Sequence, residues 1–197
     1  MTSPRTYDAT STVEQYELAR SKHKAIYPPV EKIHVVEVET FPLLGKLTAL
    51  RFIEWILKNP GGVISLPTGK TPEHFIKWVQ RILERWETSE IKRLLETYGI
   101  DASQKPDIRS LSFVQIDEFY PMDAGQQNSF HHYVNEFYIK GFGLSPEKVL
   151  LIDATSLGLP QGKTMQEVFS NNIVDLTLRV RKTATDLERL QKDVINR

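Results

Sequence analysis

The feature that most constrains this fold is a repeated order of apolar run, polar loop and amphipathic helix. In the first instance the apolar run is Gly62 to Leu66 and the helix begins at Pro72. In the second the run is Leu111 to Ile116 and the helix is Phe130 to Phe137. Short apolar runs that alternate with helical patterns are typical of parallel sheets, because parallel strands need a crossover connection. The sequence therefore predicts an α/β domain whose polar loops meet at the carboxyl edge of one sheet, where such folds build their sites.

Other apolar patterns extend this architecture. Helical spacing predicts a helix over Pro42 to Lys58 with proline in its first turn, and an extra helix over Thr88 to Tyr98. The overall prediction is a three-layer, Rossmann-like domain over residues 31–197, with a mostly parallel sheet and helices on both faces, after an N-terminal extension of residues 1–30. Further elements are predicted as helices at Val13 to Ala25 and from the capping-box pattern at Thr185, and as strands at Ile33 to Val38 and Val149 to Ile152.

Composition excludes several classes of protein. The chain has 197 residues, of which 40% are apolar and 25% charged, as in ordinary globular proteins. Basic and acidic residues number 25 each, so no electrostatic footprint for nucleic acid or an anionic membrane is expected. Without cysteine there are no disulfides or thiol-based metal sites, which fits a cytoplasmic protein. No apolar stretch approaches the length of a membrane span.

The loop after Leu66 has the composition of an anion-binding turn. Thr68, Gly69, Lys70 and Thr71 combine two hydroxyls, a flexible backbone and a positive charge just before a helix. The free N–H groups of a helix N-terminus attract anions. Thr71 also suits the capping position of a helix that binds no ligand, and local features favour neither interpretation. A Walker-type ATPase loop is disfavoured, because that motif requires glycine where this chain has Ile64.

Two carboxylates, Asp117 and Glu118, follow the apolar run that ends at Ile116. Partial desolvation there would suit a general base, whereas a solvated loop carboxylate or a helix cap is the ordinary alternative. His131 and His132 lie in the next helix, and adjacent helical residues point to different sides. The spacing of these four residues matches no metal-ligand pattern, so no metal site is predicted.

These motifs resemble those of the glucosamine-6-phosphate deaminase/isomerase family. The segment Ile64 to Pro72 is similar to that family's phosphate loop, and Phe113 to Tyr120 is similar to its strand ending in Asp-Glu-aromatic. Ser129 to His131 and Pro146 to Val149 follow in the family's order, so the resemblance covers about residues 33–153. The related 6-phosphogluconolactonases usually have arginine where this chain has Phe119, which places the chain closer to the deaminases.

The resemblance implies a chemistry and a set of roles. Such enzymes open an aminosugar 6-phosphate, move a proton between C1 and C2, and release ammonia to leave a ketose phosphate. Asp117 matches the proton-transfer base and Glu118 its supporting neighbour, with His131 as a candidate substrate contact. The small-molecule sugar phosphate is the implied partner, no cofactor is implied, and relatives often form homo-oligomers. Residues matching phosphate-binding positions are Thr68, Gly69 and Thr71, with Lys70 beside them as a further candidate contact.

The sequence also departs from the family. Lys70 replaces a small residue, and the segment Trp86 to Asp107 is longer than the usual connection. The Asp-Gly-His that carries the ring-opening histidine is absent. We therefore expect the chain to be a fragment, or else a shortened relative, and to be poorly active alone. The alternatives left open are a non-catalytic, regulatory sugar-phosphate-binding module and a 6-phosphogluconolactonase.

Overall fold

The computed structural model describes residues 10–21, 35–120, 122–154, 158–169 and 174–196. Its centre is a three-stranded parallel sheet in the order β1-β2-β3, which confirms the predicted α/β class. The strands are β1 (Val63–Ile64), β2 (Ser112–Val114) and β3 (Val149–Leu150). Each is shorter than the apolar run that predicted it.

Most of the described α-helices correspond to helices that the sequence predicts, although none was predicted at Met165–Val168. Their bounds are α1 (Thr12–Arg20), α2 (Phe41–Lys58), α3 (Glu73–Glu84), α4 (Ser89–Thr97), α5 (Phe130–Val134), α6 (Met165–Val168) and α7 (Asp186–Ile195). A π-helix, Asn135–Gly143, continues α5 without a break. Side-chain caps begin α2 at Thr40, α4 at Thr88, α5 at Ser129 and α7 at Thr185, and each accepts a hydrogen bond from an early helical N–H.

The N-terminal predictions fare less well. The helix predicted over Val13 to Ala25 ends at Arg20 in α1, and residues 22–34 lie outside the described part of the chain. Residues 35–38 of the predicted strand Ile33 to Val38 are described and form no strand. Their side chains Val36 and Val38 instead pack, partly buried, against the hydrophobic core.

The main core lies between the sheet and helices α2, α3 and α4. Phe52 of α2 contacts Phe75 of α3 edge to face, at 5.5 Å between ring centroids, and Phe142 of the π-helix joins them. Strand side chains alternate as the pleat requires, so Ile64 and Phe113 are buried in this core. Val63 and Leu150 point the other way and are 67% and 65% exposed. The described helices therefore leave one face of these strands open.

A second, smaller hydrophobic cluster occupies the C-terminal part of the chain. It joins α6, α7 and the 3-10 helix Leu176–Arg179, with Phe169 and Leu178 almost completely buried. A full capping box between Thr164 and Glu167 begins α6. The division into an extension and one domain over 31–197 stays a prediction.

Candidate functional site

The register of the sheet brings the two predicted loops to one edge. Ile64 pairs with Phe113 and Phe113 with Val149, all in parallel. Beyond the last paired residue of β1, the Ser65 hydroxyl donates to the Val114 carbonyl at 2.7 Å. Parallel strands end on the same side of a sheet, so the loops that follow β1, β2 and β3 leave it side by side.

The loop after β1 presents unengaged hydrogen-bonding groups. Among the described residues, the hydroxyls of Thr68 and Thr71 have no partner, and Lys70 and Thr71 are exposed. Gly69 has φ +86°, a left-handed conformation that favours glycine. The residue preceding α3 is Pro72, and no side chain caps this helix. Of the two interpretations left open for Thr71, the helix cap is therefore not observed, and the first N–H of α3, from Glu73, donates to the Lys70 carbonyl at 3.2 Å.

The loop after β2 is positioned by Gln115, whose side chain is buried. Its Nε2 donates to the Asp117 carbonyl at 2.8 Å, and its Oε1 accepts from the Ile152 N–H at 3.0 Å. One side chain thus joins the ends of β2 and β3. The Asp117 side chain is exposed and has no hydrogen-bond partner among the described residues. The desolvation expected for a general base is therefore absent, and solvent reaches this carboxylate.

Glu118 has a different part in the same loop. Its carboxylate accepts hydrogen bonds from the N–H groups of Phe119 at 2.9 Å, Phe130 at 3.1 Å and His131 at 2.8 Å. The last two belong to the first turn of α5, where a negative charge is favourable. These contacts make Glu118 a helix cap, which the sequence analysis left open as an alternative for either carboxylate. Of the two, only Asp117 has a side chain without a hydrogen-bond partner among the described residues.

His131 is half-buried and reaches the end of the third strand. Its Nδ1 lies 3.2 Å from the Ile152 carbonyl oxygen, a hydrogen bond when that nitrogen carries the proton. The ring therefore lies at the same edge of the sheet as Asp117, and its contact with a substrate stays a prediction. Its neighbour His132 donates its backbone N–H to the Ser129 hydroxyl.

Two cavities border the loop after β1. One of about 490 Å³ is largely apolar and lies between α2 and the loop, lined by Phe41, Trp55 and Thr71 among others. Another of about 330 Å³ is lined by Gly69, Lys70 and Tyr133. Neither cavity is lined by Asp117, so the loop and this carboxylate share an edge of the sheet rather than one of these cavities.

Two residues of this region escaped the sequence analysis as functional candidates. Gln115 is the polar interruption of an apolar run, a signal visible in the sequence. Tyr138 is fully buried in the π-helix and donates its hydroxyl to the Pro67 carbonyl, 71 residues away. No local pattern indicates that contact. In the described ranges, no three acidic or histidine side chains gather as a metal site, and no described helix is long and apolar enough to cross a membrane.

Comparison with known proteins identifies distant relatives. No family model matches the chain. A curated glucosamine-6-phosphate deaminase from Halothermothrix orenii is 23% identical over 121 residues, which are 61% of this chain and 43% of that enzyme. The structure of a monomeric glucosamine-6-phosphate deaminase of the NagB superfamily is 19% identical, with a TM-score of 0.47 over 60% of this chain and 42% of that one.

The chain thus spans less than half the length of these relatives. The sequence match to the Halothermothrix enzyme is a match to the family that the motifs of this chain resemble. It confirms the resemblance, and this chain is a distant relative of the glucosamine-6-phosphate deaminases.

Proposed function

We propose that this chain carries the phosphate-binding loop and the proton-transfer base of a cytoplasmic protein that acts on an aminosugar 6-phosphate. The reaction converts the aminosugar 6-phosphate and water to a ketose 6-phosphate and ammonia. The observation that carries the proposal is the shared sheet edge. The loop with Thr68 and Thr71 follows β1, Asp117 follows the adjacent parallel strand β2, and none of these three side chains has a hydrogen-bond partner in the described part of the chain.

Phosphate binding follows from the chemistry of the loop. The hydroxyls of Thr68 and Thr71 and the Gly69 backbone offer donors to an anion, and the positive end of the α3 dipole lies beside them. The Lys70 side chain is exposed and adds a positive charge. A phosphate held here places the sugar along the carboxyl edge of the sheet, towards the loop after β2.

Proton transfer is assigned to Asp117. A base must reach the carbon-bound proton in the bound substrate, and an exposed carboxylate needs the substrate itself to exclude water before it works well. Gln115 holds the backbone of this residue, and Glu118 orders the helix that follows. In this proposal Glu118 supports the site through α5, and His131 contacts the sugar from the edge of β3.

Three observations favour a second candidate, a sugar-phosphate-binding module without catalysis. Asp117 is exposed, Glu118 is engaged by backbone N–H groups, and the sequence contains no Asp-Gly-His. For the same reasons we expect these 197 residues alone to turn over slowly or not at all. Binding and turnover must therefore be tested separately.

The binding test is calorimetric titration of the chain with glucosamine 6-phosphate, with unphosphorylated glucosamine as the control ligand. We expect binding only to the phosphate, and at least about a tenfold rise in Kd for the double variant Thr68→Ala, Thr71→Ala, since hydrogen bonds to a charged group contribute roughly 1.5–3 kcal/mol each. Thr97→Ala is the matched control, because that threonine lies at the end of α4 and bonds only within its helix. Equal affinity for both sugars would refute the phosphate assignment.

The turnover test measures ammonia and fructose 6-phosphate released by the whole protein that contains this chain. Asp117→Asn should abolish release while the Kd for glucosamine 6-phosphate changes little. Asp101→Asn, in an exposed loop after α4, serves as the matched control. If the unaltered protein binds the sugar phosphate without releasing ammonia, the binding module is the correct function.

A further inference from the structure

Tyr138 and the loop after β1 are joined by a contact that spans the core. The phenol hydroxyl donates to the carbonyl of Pro67, and the Tyr138 side chain is completely buried. Burial raises the pKa of the Tyr138 phenol, and the nearby Tyr133 adds to that shift. The hydroxyl therefore keeps its proton and remains a donor.

The ring of Tyr138 is held in place from several sides. Its centroid lies 5.7 Å from that of Phe113 in the central strand, 5.2 Å from Phe142 and 5.9 Å from Tyr133. A ring packed this way cannot follow the loop if the loop moves. The position of the Tyr138 hydroxyl is consequently fixed, and its hydrogen bond restrains the carbonyl of Pro67.

The loop has few other restraints at this point. Within the described ranges, no other hydrogen bond reaches residues 66–69, and the next contacts are the Ser65 hydroxyl on one side and the turn from Lys70 to Glu73 on the other. The bonded carbonyl directly precedes Thr68 in the chain. Its orientation thus sets the direction in which the following N–H and hydroxyl groups point.

The Tyr138 hydroxyl reaches the loop after β1 from a π-helix. Asn135–Gly143 continues α5 with wider turns, and π-helical turns are often found at functional sites. A tyrosine buried in an apolar core needs a partner for its hydroxyl, and the Pro67 carbonyl supplies it. Phenylalanine would fill the same space, so packing alone does not require the hydroxyl.

We propose that Tyr138 is a positioning residue, whose hydroxyl holds the Pro67 carbonyl so that Thr68 and Gly69 present their donors to a phosphate. This inference deepens the proposed function and rests on it for the identity of the ligand. The ordering of the loop is a separate claim that needs no ligand.

The experiment compares Tyr138→Phe with Tyr98→Phe in the full chain. Tyr98 is a matched control, because it is also buried and its hydroxyl donates to Glu17 at 3.0 Å. This bond joins the end of α4 to α1. Both variants lose one hydroxyl and one hydrogen bond. Only the first loses a bond to the loop.

The first measurement is hydrogen–deuterium exchange of the peptide covering residues 66–73, with a peptide from α3 over residues 79–84 as the internal reference. Within this peptide the Glu73 N–H donates to the Lys70 carbonyl, so its exchange reports on the order of the loop. We expect Tyr138→Phe to speed that exchange by about tenfold, the order that one net hydrogen bond supports, with the reference peptide unchanged. Tyr98→Phe should leave the loop at the unaltered rate. Equal loop exchange in both variants, or faster exchange everywhere in Tyr138→Phe, would overturn the proposal.

The second measurement is the Kd for glucosamine 6-phosphate. Tyr138→Phe should weaken binding by roughly five- to tenfold, as expected when donors lose their preorganisation, and Tyr98→Phe should not. Unchanged affinity in Tyr138→Phe would refute the positioning role even if the loop exchanged faster. Absence of binding by the unaltered chain would instead refute the proposed function, and the exchange data alone would then decide whether Tyr138 orders the loop.

Discussion

The carboxylate of Glu54 fastens helix α1 to helix α2. Its side chain is 4% exposed. It accepts hydrogen bonds from the Ser11 hydroxyl at 2.6 Å, the Thr12 N–H at 2.7 Å and the Lys58 ammonium at 2.8 Å. Ser11 is at the same time the cap of α1, since its hydroxyl accepts from the Glu14 N–H. Removing the charge of Glu54 should therefore loosen the whole N-terminal helix.

The change Glu54→Gln keeps the size of the side chain and replaces one accepting oxygen by a donating amide. The new amide N–H groups face the donors of Ser11, Thr12 and Lys58 and find no acceptor there. The Lys58 ammonium also loses the negative charge with which it pairs. An unpaired buried group costs about 1–3 kcal/mol, and hydrogen bonds to charged groups contribute about 1.5–3 kcal/mol. Because Lys58 is 39% exposed and water can solvate it, we expect the free energy of unfolding to fall by about 2 kcal/mol at pH 7. For a chain of this size that lowers Tm by roughly 4–8 °C.

The effect should depend on pH with a definite sign. Burial alone raises the pKa of Glu54, but hydrogen bonds from Lys58, Ser11 and Thr12 and the charge of Lys58 outweigh it, so the pKa lies below its usual 4.5. The unfolded chain then binds more protons than the folded one in mild acid. The stabilisation is complete above the unfolded pKa and is lost as the pH falls through the folded pKa. The difference between Glu54→Gln and the unaltered chain should shrink on acidification.

The assay is urea denaturation followed by tryptophan fluorescence, at pH 7 and at steps down to mild acid. Glu136→Gln is the matched control, because Glu136 pairs with Lys140 at the same i,i+4 spacing on an exposed surface. That variant should unfold indistinguishably from the unaltered chain. Equal losses in both variants, or a Glu54→Gln deficit that grows in acid, would refute the reasoning.

Three further predictions concern single residues. Thr71→Ala should leave Tm unchanged, because its hydroxyl caps nothing, while calorimetry shows weaker binding of glucosamine 6-phosphate. Glu118→Gln should lower the free energy of unfolding in urea by about 1 kcal/mol and speed amide exchange at Phe130, since a charged cap of α5 is lost. Gly45→Ala should destabilise by about 1–3 kcal/mol in thermal melts, as in other overpacked cores. The new Cβ would lie 2.5 Å from the Cβ of His74, so α2 and α3 must separate to make room for it. A higher Tm for Gly45→Ala would contradict this reasoning.

Much of the local structure followed from the sequence. The helix predicted over Pro42 to Lys58 is observed as Phe41–Lys58, and the extra helix over Thr88 to Tyr98 as Ser89–Thr97. The two apolar runs became neighbouring parallel strands. These features depend on periodicity and on caps that act within one helical turn, so the information lies within a few residues of where it is used.

Side-chain roles in the candidate site were harder to predict. Thr71 has the right residue type for a cap, but the loop turns so that Pro72 precedes the helix instead. Either carboxylate after Ile116 could act as a base or a cap. The position of α5 decides between them, because its N–H groups donate to Glu118 and not to Asp117. Such choices depend on the direction of a neighbouring element, which no local pattern encodes.

By itself the sequence determined the α/β class, most of the helix positions and the resemblance to a family, because periodicity, caps and ordered motifs are local signals. Only the tertiary structure decided the partners of Glu54, Gln115 and Tyr138, each of which bonds residues tens of positions away. The physical reason is that a buried polar group takes whichever partner the packing brings within about 3 Å, and that distance is set by the assembled core.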